Sequence, residues 1–128
     1  LVNYQEHFQP KAGRYSVGES SNFILTPMLT TALEQLLSWK PQHIQDYCNS
    51  ISSEAVNTLR SKGCFIEDDA YRSHHLFGIY LPKHMDLNVL KKRLEDAKVV
   101  VSYRGNAIRV SPHVYNTTED FERLVAQF

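Results

Sequence analysis

The chain lacks an excess of charge of either sign. Fourteen lysine and arginine residues balance fourteen aspartate and glutamate residues among 128 positions. A nucleic-acid-binding surface is normally strongly basic, and an electrostatic membrane anchor carries a cluster of basic residues. The balance therefore argues against a nucleic-acid partner and against a membrane partner.

Long apolar runs are also missing. The longest are short clusters such as Phe23-Ile24-Leu25, far below the roughly 20 residues needed to cross a bilayer. The chain starts with leucine, without the basic start, apolar core and cleavage site of a signal peptide. We therefore expect either a mature product or a fragment of a longer chain.

Cysteine is scarce, with Cys48 and Cys64 alone and no Cys-x-x-Cys spacing. Neither thiol is flanked by a partner that would activate it, so both are interpreted as packed, reduced thiols. Such thiols are typical of cytoplasmic proteins. Length and an ordinary apolar fraction of 42% predict one soluble globular domain over residues 1–128, with residues 1–22 as a loop-rich lead-in segment.

Two long segments carry apolar residues at helical spacing. The first starts at Thr26-Pro27, interpreted as cap and first helical position, and ends before Pro41. Its leucine-rich face is predicted to be core. The second is predicted to run from Pro41 to about Lys62, with Gly63 suited to the left-handed position beyond its end.

The second half of the chain alternates strands with helices. Strands are predicted over residues 74–81, 99–103 and 107–111, the last two forming a hairpin. A helix follows Asp86, and another follows the capping box Thr117-x-x-Asp120. Helices must cover one face of a small antiparallel sheet, so the predicted class is α+β, a two-layer open sandwich with the helices on one face.

Arg109 lies in the alternating apolar strand over 107–111. A cation in a half-buried strand is costly unless an anion meets it, and the forked guanidinium suits a carboxylate. Arg109 is therefore a candidate for binding a substrate carboxylate. The alternative is a structural ion pair with Glu119 or Asp120, which spacing alone favours. Arg104, in the hairpin turn, is either a solvated charge or a second carboxylate contact.

Residues Gly18-Glu-Ser-Ser-Asn22 precede a helix. Backbone N–H groups at a helix start favour anions, and Ser20, Ser21 and Asn22 add further polar groups. The segment is thus a candidate for binding phosphate or carboxylate, although the glycine pattern of a phosphate loop is missing. An ordinary polar helix start is the alternative. For His74-His75 we expect no metal site, because adjacent strand residues point to opposite faces.

Two motifs in order resemble a known family. Arg14-Tyr-Ser-Val-Gly18-Glu-Ser-Ser-Asn22-Phe is followed by Pro27-Met-Leu and a leucine-striped helix. Arg104-Gly-x-x-Ile-Arg109-Val-Ser-Pro-x-x-Tyr115-Asn116-Thr-x-x-Asp120 closes the chain. Together they resemble the C-terminal part of class V aminotransferase-like enzymes, and the second is especially similar to its kynureninase form.

The resemblance implies the small C-terminal domain of a fold-type I enzyme dependent on pyridoxal phosphate, most often an aminotransferase and homodimeric. In relatives the arginine that matches Arg109 grips the α-carboxylate of the amino-acid substrate. Relatives have threonine where this chain has Glu19, and that threonine reaches the cofactor phosphate; Ser20 or Ser21 would have to substitute. The cofactor supplies an electron sink.

The resemblance also shows what this chain lacks. The Schiff-base lysine, the acid that pairs with the pyridine nitrogen and the stacking aromatic ring belong to the family's large domain, and no segment here matches them. Desulfurases often carry a reactive cysteine before the closing strand, where this chain has none. We therefore expect the 128 residues to be inactive on their own. The alternative is a free-standing α+β module that binds a small anion or a protein without catalysis.

Overall fold

A computed structural model describes residues 7–15 and 23–128. Four α-helices, three strands and one short 3-10 helix lie in these ranges. In chain order they are the 3-10 helix Lys11–Tyr15, α1 Leu25–Trp39, α2 Pro41–Ser61, β1 Phe77–Tyr80, α3 Leu87–Asp96, β2 Ser102–Arg104, β3 Ala107–Val110 and α4 Thr118–Val125. The chain divides into two compact units, residues 1–38 and 39–128.

In the first unit, the helix α1 is confirmed, but the predicted burial of its apolar face is wrong. None of its residues is buried, and Leu29 and Leu33 are each at least half exposed. Helical spacing of apolar residues indicates that a helix is amphipathic, but it does not indicate what the apolar face contacts. The helix starts at Leu25, so Pro27 lies within the first turn, where the missing N–H costs no hydrogen bond.

The second unit holds a three-stranded antiparallel sheet in the order β1-β3-β2. Gly78 stands opposite Arg109 and Ile79 opposite Ile108, while Ser102 stands opposite Arg109 on the other side of β3. Beyond β1, the backbones of Phe65 and Tyr80 exchange two hydrogen bonds. β3 is therefore the central strand, and its residues 107–109 have partners on both sides, whereas Val110 pairs with β1 alone.

The core of this unit lies between one face of the sheet and the helices α2, α3 and α4. Its fully buried members include Leu59, Ile79, Leu94 and Ile108, and Phe121 of α4 closes the cluster. Alternation along the strands sends the intervening side chains to the opposite face. The α+β class and the two-layer arrangement with helices on one face are thereby confirmed.

Local signals place the helix starts of this unit. Pro41 is the first residue of α2, and the Asp86 carboxylate accepts from the Asn88 backbone N–H at 2.7 Å at the start of α3. The Asp120 carboxylate accepts from the Thr117 N–H at 3.2 Å in the predicted capping box. These caps satisfy donors that have no partner inside the helix.

β2 is shorter than the predicted strand over 99–103. Lys98 has a φ of 57°, and the Val99 N–H bonds back to the Leu94 carbonyl at 2.8 Å to close α3. Val99 therefore serves the helix end instead of the sheet. Pairing with β3 therefore starts only at Ser102.

Candidate functional site

Arg109 lies on the central strand, on the face of the sheet opposite to the one that α2, α3 and α4 cover. Its neighbours Ile108 and Val110 are buried in the core, so the strand's alternation sends Arg109 to the other face. Gly78 flanks it on β1 and Ser102 on β2. Arg109 therefore has a residue without a side chain on one side and a hydroxyl group on the other.

The guanidinium of Arg109 has few partners. Its Nη2 donates to the Ser102 Oγ at 3.5 Å, a long contact. Its Nε is buried and has no hydrogen-bond partner among residues 7–15 and 23–128. Within the same ranges no carboxylate oxygen lies within 4.0 Å of it. A buried donor left without a partner costs about 1–3 kcal/mol, so the site favours an acceptor supplied from outside.

The ion pair with Glu119 or Asp120, which spacing favoured, is not formed. Asp120 instead accepts from the Asn116 Nδ2 at 3.1 Å and from the Thr117 N–H, with Arg123 4.0 Å away. Its hydrogen bond to Asn116, then that to Thr117, lowers the pKa of Asp120. Both acids belong to the first turn of α4, and Asp120 caps the helix.

Arg104 shares the open face with Arg109. It pairs with Ala107 of β3, which lies two residues before Arg109. The two arginines are therefore diagonal neighbours across the strand pair, a position at which Cα atoms are roughly 7–8 Å apart. Arg104 is exposed, and its Nη1 donates to the carbonyl of Tyr103 at 3.1 Å. Gly105, with a φ of 58°, makes the two-residue turn that brings the strands together.

The aromatic pair Phe65 and Tyr80 lies beside Gly78, and no pattern in the sequence predicted it. A side-chain carbon placed on Gly78 would lie 3.6 Å from Cε2 of Tyr80, so the Tyr80 ring leans over the glycine. The Phe65 ring packs against Tyr80 with centroids 5.8 Å apart. Phe65 lies outside any strand, so only its backbone pairing with Tyr80 reveals its place.

The segment after β3 is held by a network around Asn116. The Tyr47 hydroxyl of α2 donates to the Asn116 carbonyl at 2.8 Å. The Asn116 Oδ1 accepts from the His113 N–H at 3.0 Å, while its Nδ2 donates to Asp120. The Asn116 side chain is therefore used in holding the turn and the start of α4.

The proposed anion-binding residues Ser20, Ser21 and Asn22 lie outside the described residues, as do Gly18 and Glu19. Their contribution to a cofactor site stays a prediction. All seven lysines of the chain lie at described positions, and each is exposed. A Schiff-base lysine is activated by a desolvated pocket or a neighbouring cation, and none of these lysines is buried.

The histidine pair His74-His75 and the two cysteines have structural roles. Gln45 of α2 contacts both histidines: its Oε1 accepts from the His74 N–H at 2.8 Å and its Nε2 meets the His75 Nδ1. Cys48 and Cys64 are both buried as free thiols. Burial raises the pKa of each, with the Lys62 charge opposing this at Cys64. A raised thiol pKa disfavours the thiolate, so both cysteines are packed groups without nucleophilic character.

Comparison with protein-family profiles, with curated proteins and with solved structures finds no match to this chain. Among the described residues, no helix combines the length and apolar character required to span a membrane. The same residues contain no group of three or more histidine, cysteine or acidic side chains placed to hold a metal ion.

Proposed function

We propose that this chain is the small C-terminal domain of a pyridoxal-phosphate-dependent enzyme of the class V aminotransferase type that acts on an amino acid. The proposal rests on one observation: the half-buried Arg109 guanidinium has an orphaned Nε and no carboxylate partner within the described residues. The sequence around it resembles the closing motif in which that family binds the substrate carboxylate.

The physical argument concerns what Arg109 needs. A guanidinium presents donors in a planar fork, which two carboxylate oxygens satisfy together. Burial makes such a contact stronger than one in water. Loss of the arginine should cost roughly 2–5 kcal/mol of substrate binding, as for truncated buried charge pairs. Arg104 on the same face adds positive potential, and we propose it as the second carboxylate contact.

We propose that no lysine of this chain anchors the cofactor; the exposure of every lysine supports this. We propose that a large domain of the same enzyme supplies the anchor and that the enzyme is a cytoplasmic homodimer with an aminotransferase activity. Ser20, Ser21 and Asn22 are proposed as contacts of the cofactor phosphate. The bound cofactor would supply an electron sink, and the part proposed for Arg109 is to orient the substrate through its carboxylate.

The test compares substrates with and without a carboxylate in the full-length enzyme. We expect Arg109→Ala to lower kcat/KM for an amino acid roughly 30-fold or more, the equivalent of 2 kcal/mol. The corresponding amino-acid amide should lose far less. Arg93→Ala, which removes an exposed arginine of α3 that donates to the Gln127 carbonyl, is the matched control. Equal losses for acid and amide would remove the proposed role of Arg109.

A second candidate function is a binding module without catalysis. The exposure of every lysine supports it, because no buried lysine is available as a covalent anchor among the described residues. Arg104 and Arg109 on an open face would then bind a small anion or a protein. An upstream sequence that lacks a large domain, together with binding of simple carboxylates that Arg109→Ala abolishes, would favour this function over the first.

A further inference from the structure

The outer edge of β2 has unpaired backbone groups. β2 is the last strand of the sheet, and its only partner among the described residues is β3. Arg104 and Ala107 flank a two-residue turn, so they form a hydrogen-bonded pair, as do Ser102 and Arg109. The N–H and C=O groups of Tyr103 and of Val101 therefore point away from the sheet.

One of these outward groups is occupied by a side chain. The Tyr103 carbonyl accepts from the Arg104 Nη1 at 3.1 Å. The Tyr103 N–H and both backbone groups of Val101 have no partner in the described part of the chain. Arg104 thus covers one acceptor of the edge, at the end where an added strand would first meet it.

The side chains along this edge suit a further strand. Val99, Val101 and Tyr103 pack toward the core, while Val100 points outward and is 96% exposed. The segment between Lys98 and Arg104 contains neither proline nor charge, and these are the usual devices that blunt an exposed edge. β-branched and aromatic residues are the types that pair best across strands.

The charges at the two ends of the edge have one sign. Lys98 lies before it and Arg104 ends it, with no acid between them. A cleft of about 380 Å³ opens beside Lys98 and is lined also by Val100, Tyr115 and Arg123. Asp120 in the same cleft already serves the start of α4. Glu95 of α3 also acts on Tyr103, but it pairs with Lys91, whose ammonium lies over the same ring. The strand edge itself is thus apolar at its centre and basic at its ends.

We propose that the outer edge of β2 is a docking site for an extended peptide segment of a partner protein, apolar in its middle and acidic at its ends, which adds as a fourth strand. The segment's N–H replaces the Arg104 guanidinium on the Tyr103 carbonyl. The released guanidinium then binds a carboxylate of the segment. This site shares Arg104 with the carboxylate site proposed at Arg109, but it does not require Arg109.

A second copy of this chain fits the edge less well. Two copies paired through residues 98–104 would bring four cations into one ladder with no carboxylate between them. Like charges directly opposite each other destabilise a strand pair. An acidic segment removes that repulsion and meets the same backbone groups, so charge complementarity selects it.

The experiment titrates the full chain with two short blocked peptides of alternating Thr and Val, one with Glu and one with Lys at both ends. We expect the acidic peptide to bind at least about fivefold more tightly, as an opposite-charge pair allows. Amide NMR signals of Val101 and Tyr103 should shift. In Arg104→Glu the preference should be lost, because Lys98 and the new carboxylate then favour opposite peptides, whereas in the control Arg93→Glu it should persist.

Backbone pairing is tested with the unaltered chain and N-methylated acidic peptides. Methylation of the N–H groups on the pairing edge should abolish binding, and methylation of the opposite edge should leave it unchanged. Equal binding of the two methylated peptides would overturn the proposal. So would an unchanged preference in Arg104→Glu, or sedimentation as a dimer with Val101 and Tyr103 protected from exchange before any peptide is added.

Discussion

The Tyr47 hydroxyl of α2 donates to the backbone carbonyl of Asn116 across 69 positions of sequence. This bond ties the first long helix of the second unit to the turn that follows β3. The same turn leads into α4, whose Phe121 and Leu124 complete the core. One phenol group therefore helps to hold the end of the chain against α2.

Tyr47→Phe should lower the free energy of unfolding by about 1 kcal/mol, because it removes one hydrogen bond and leaves a carbonyl that water can partly reach. Urea denaturation of both proteins measures the difference. Tyr71→Phe is the matched control, since Tyr71 is 82% exposed. If both variants lose equal stability, the Tyr47 bond has no special role.

Substitution by alanine should change the stability of the fold in opposite directions at Gly78 of β1 and at Gly105 of the hairpin turn. At Gly78 a Cβ would make an ordinary contact with the Tyr80 ring, so Gly78→Ala should stabilise the fold by roughly 0.4–1 kcal/mol. Gly105 has a φ of 58°, and an alanine there costs about 1–2 kcal/mol. Thermal unfolding of the pair measures both signs. If Gly78→Ala lowers the stability, the space next to Gly78 on the sheet is too small for a methyl group.

The capping box at Asp120 should make stability depend on pH. Hydrogen bonds from Asn116 and then from the Thr117 N–H lower the pKa of this carboxylate in the folded state. A lowered folded pKa contributes stability above the unfolded value, near pH 4, which is lost as the pH falls through the folded value. Asp120→Asn should therefore be less stable than the unaltered chain at pH 7.

The difference should shrink steadily below about pH 4, where the carboxylate of the unaltered chain takes up its proton. Unfolding curves of both proteins at a series of pH values measure it. Asp69→Asn is a control for acid titration outside this cap, because Asp69 pairs with Arg72 instead. A gap between Asp120→Asn and the unaltered chain that stays constant down to about pH 2 would contradict the role of the ionised carboxylate.

The two thiols should be unreactive in the folded chain. Cys48 is fully buried and Cys64 nearly so, and burial raises the pKa of both, against an opposing Lys62 charge at Cys64. We expect an aromatic disulfide reagent at about pH 8 to label neither within minutes and to label both at once in denaturant. Rapid labelling of one thiol in native buffer would show that the residues packed around it move apart and expose it, contrary to this prediction.

The Arg109 environment was only partly predictable. Alternation along 107–111 indicated a half-buried arginine, because the residue sequence alone determines which positions share a face. Which acid would meet it was not determined, since Glu119 and Asp120 are close in sequence but are held at the start of α4. Phe65 and Tyr80 were missed as neighbours because their pairing joins residues far apart along the chain.

Helix starts in the second unit came from local chemistry. Pro41, Asp86 and Thr117 act on groups within three residues, so the same signals operate before and after folding. The ends of β2 depended instead on a partner strand and on the turn after α3. The exposure of α1 likewise depended on what its apolar face meets, which helical spacing does not encode.

Local residue order thus established the helices, the hairpin and the face on which Arg109 lies, because each depends on backbone geometry and near neighbours. Only the tertiary structure showed that neither Glu119 nor Asp120 pairs with Arg109, and that the outer edge of β2 has no strand partner among the described residues. Both outcomes depend on how elements far apart in the chain are placed in space. Local sequence patterns do not encode such contacts, because they form only when the intervening chain loses conformational entropy.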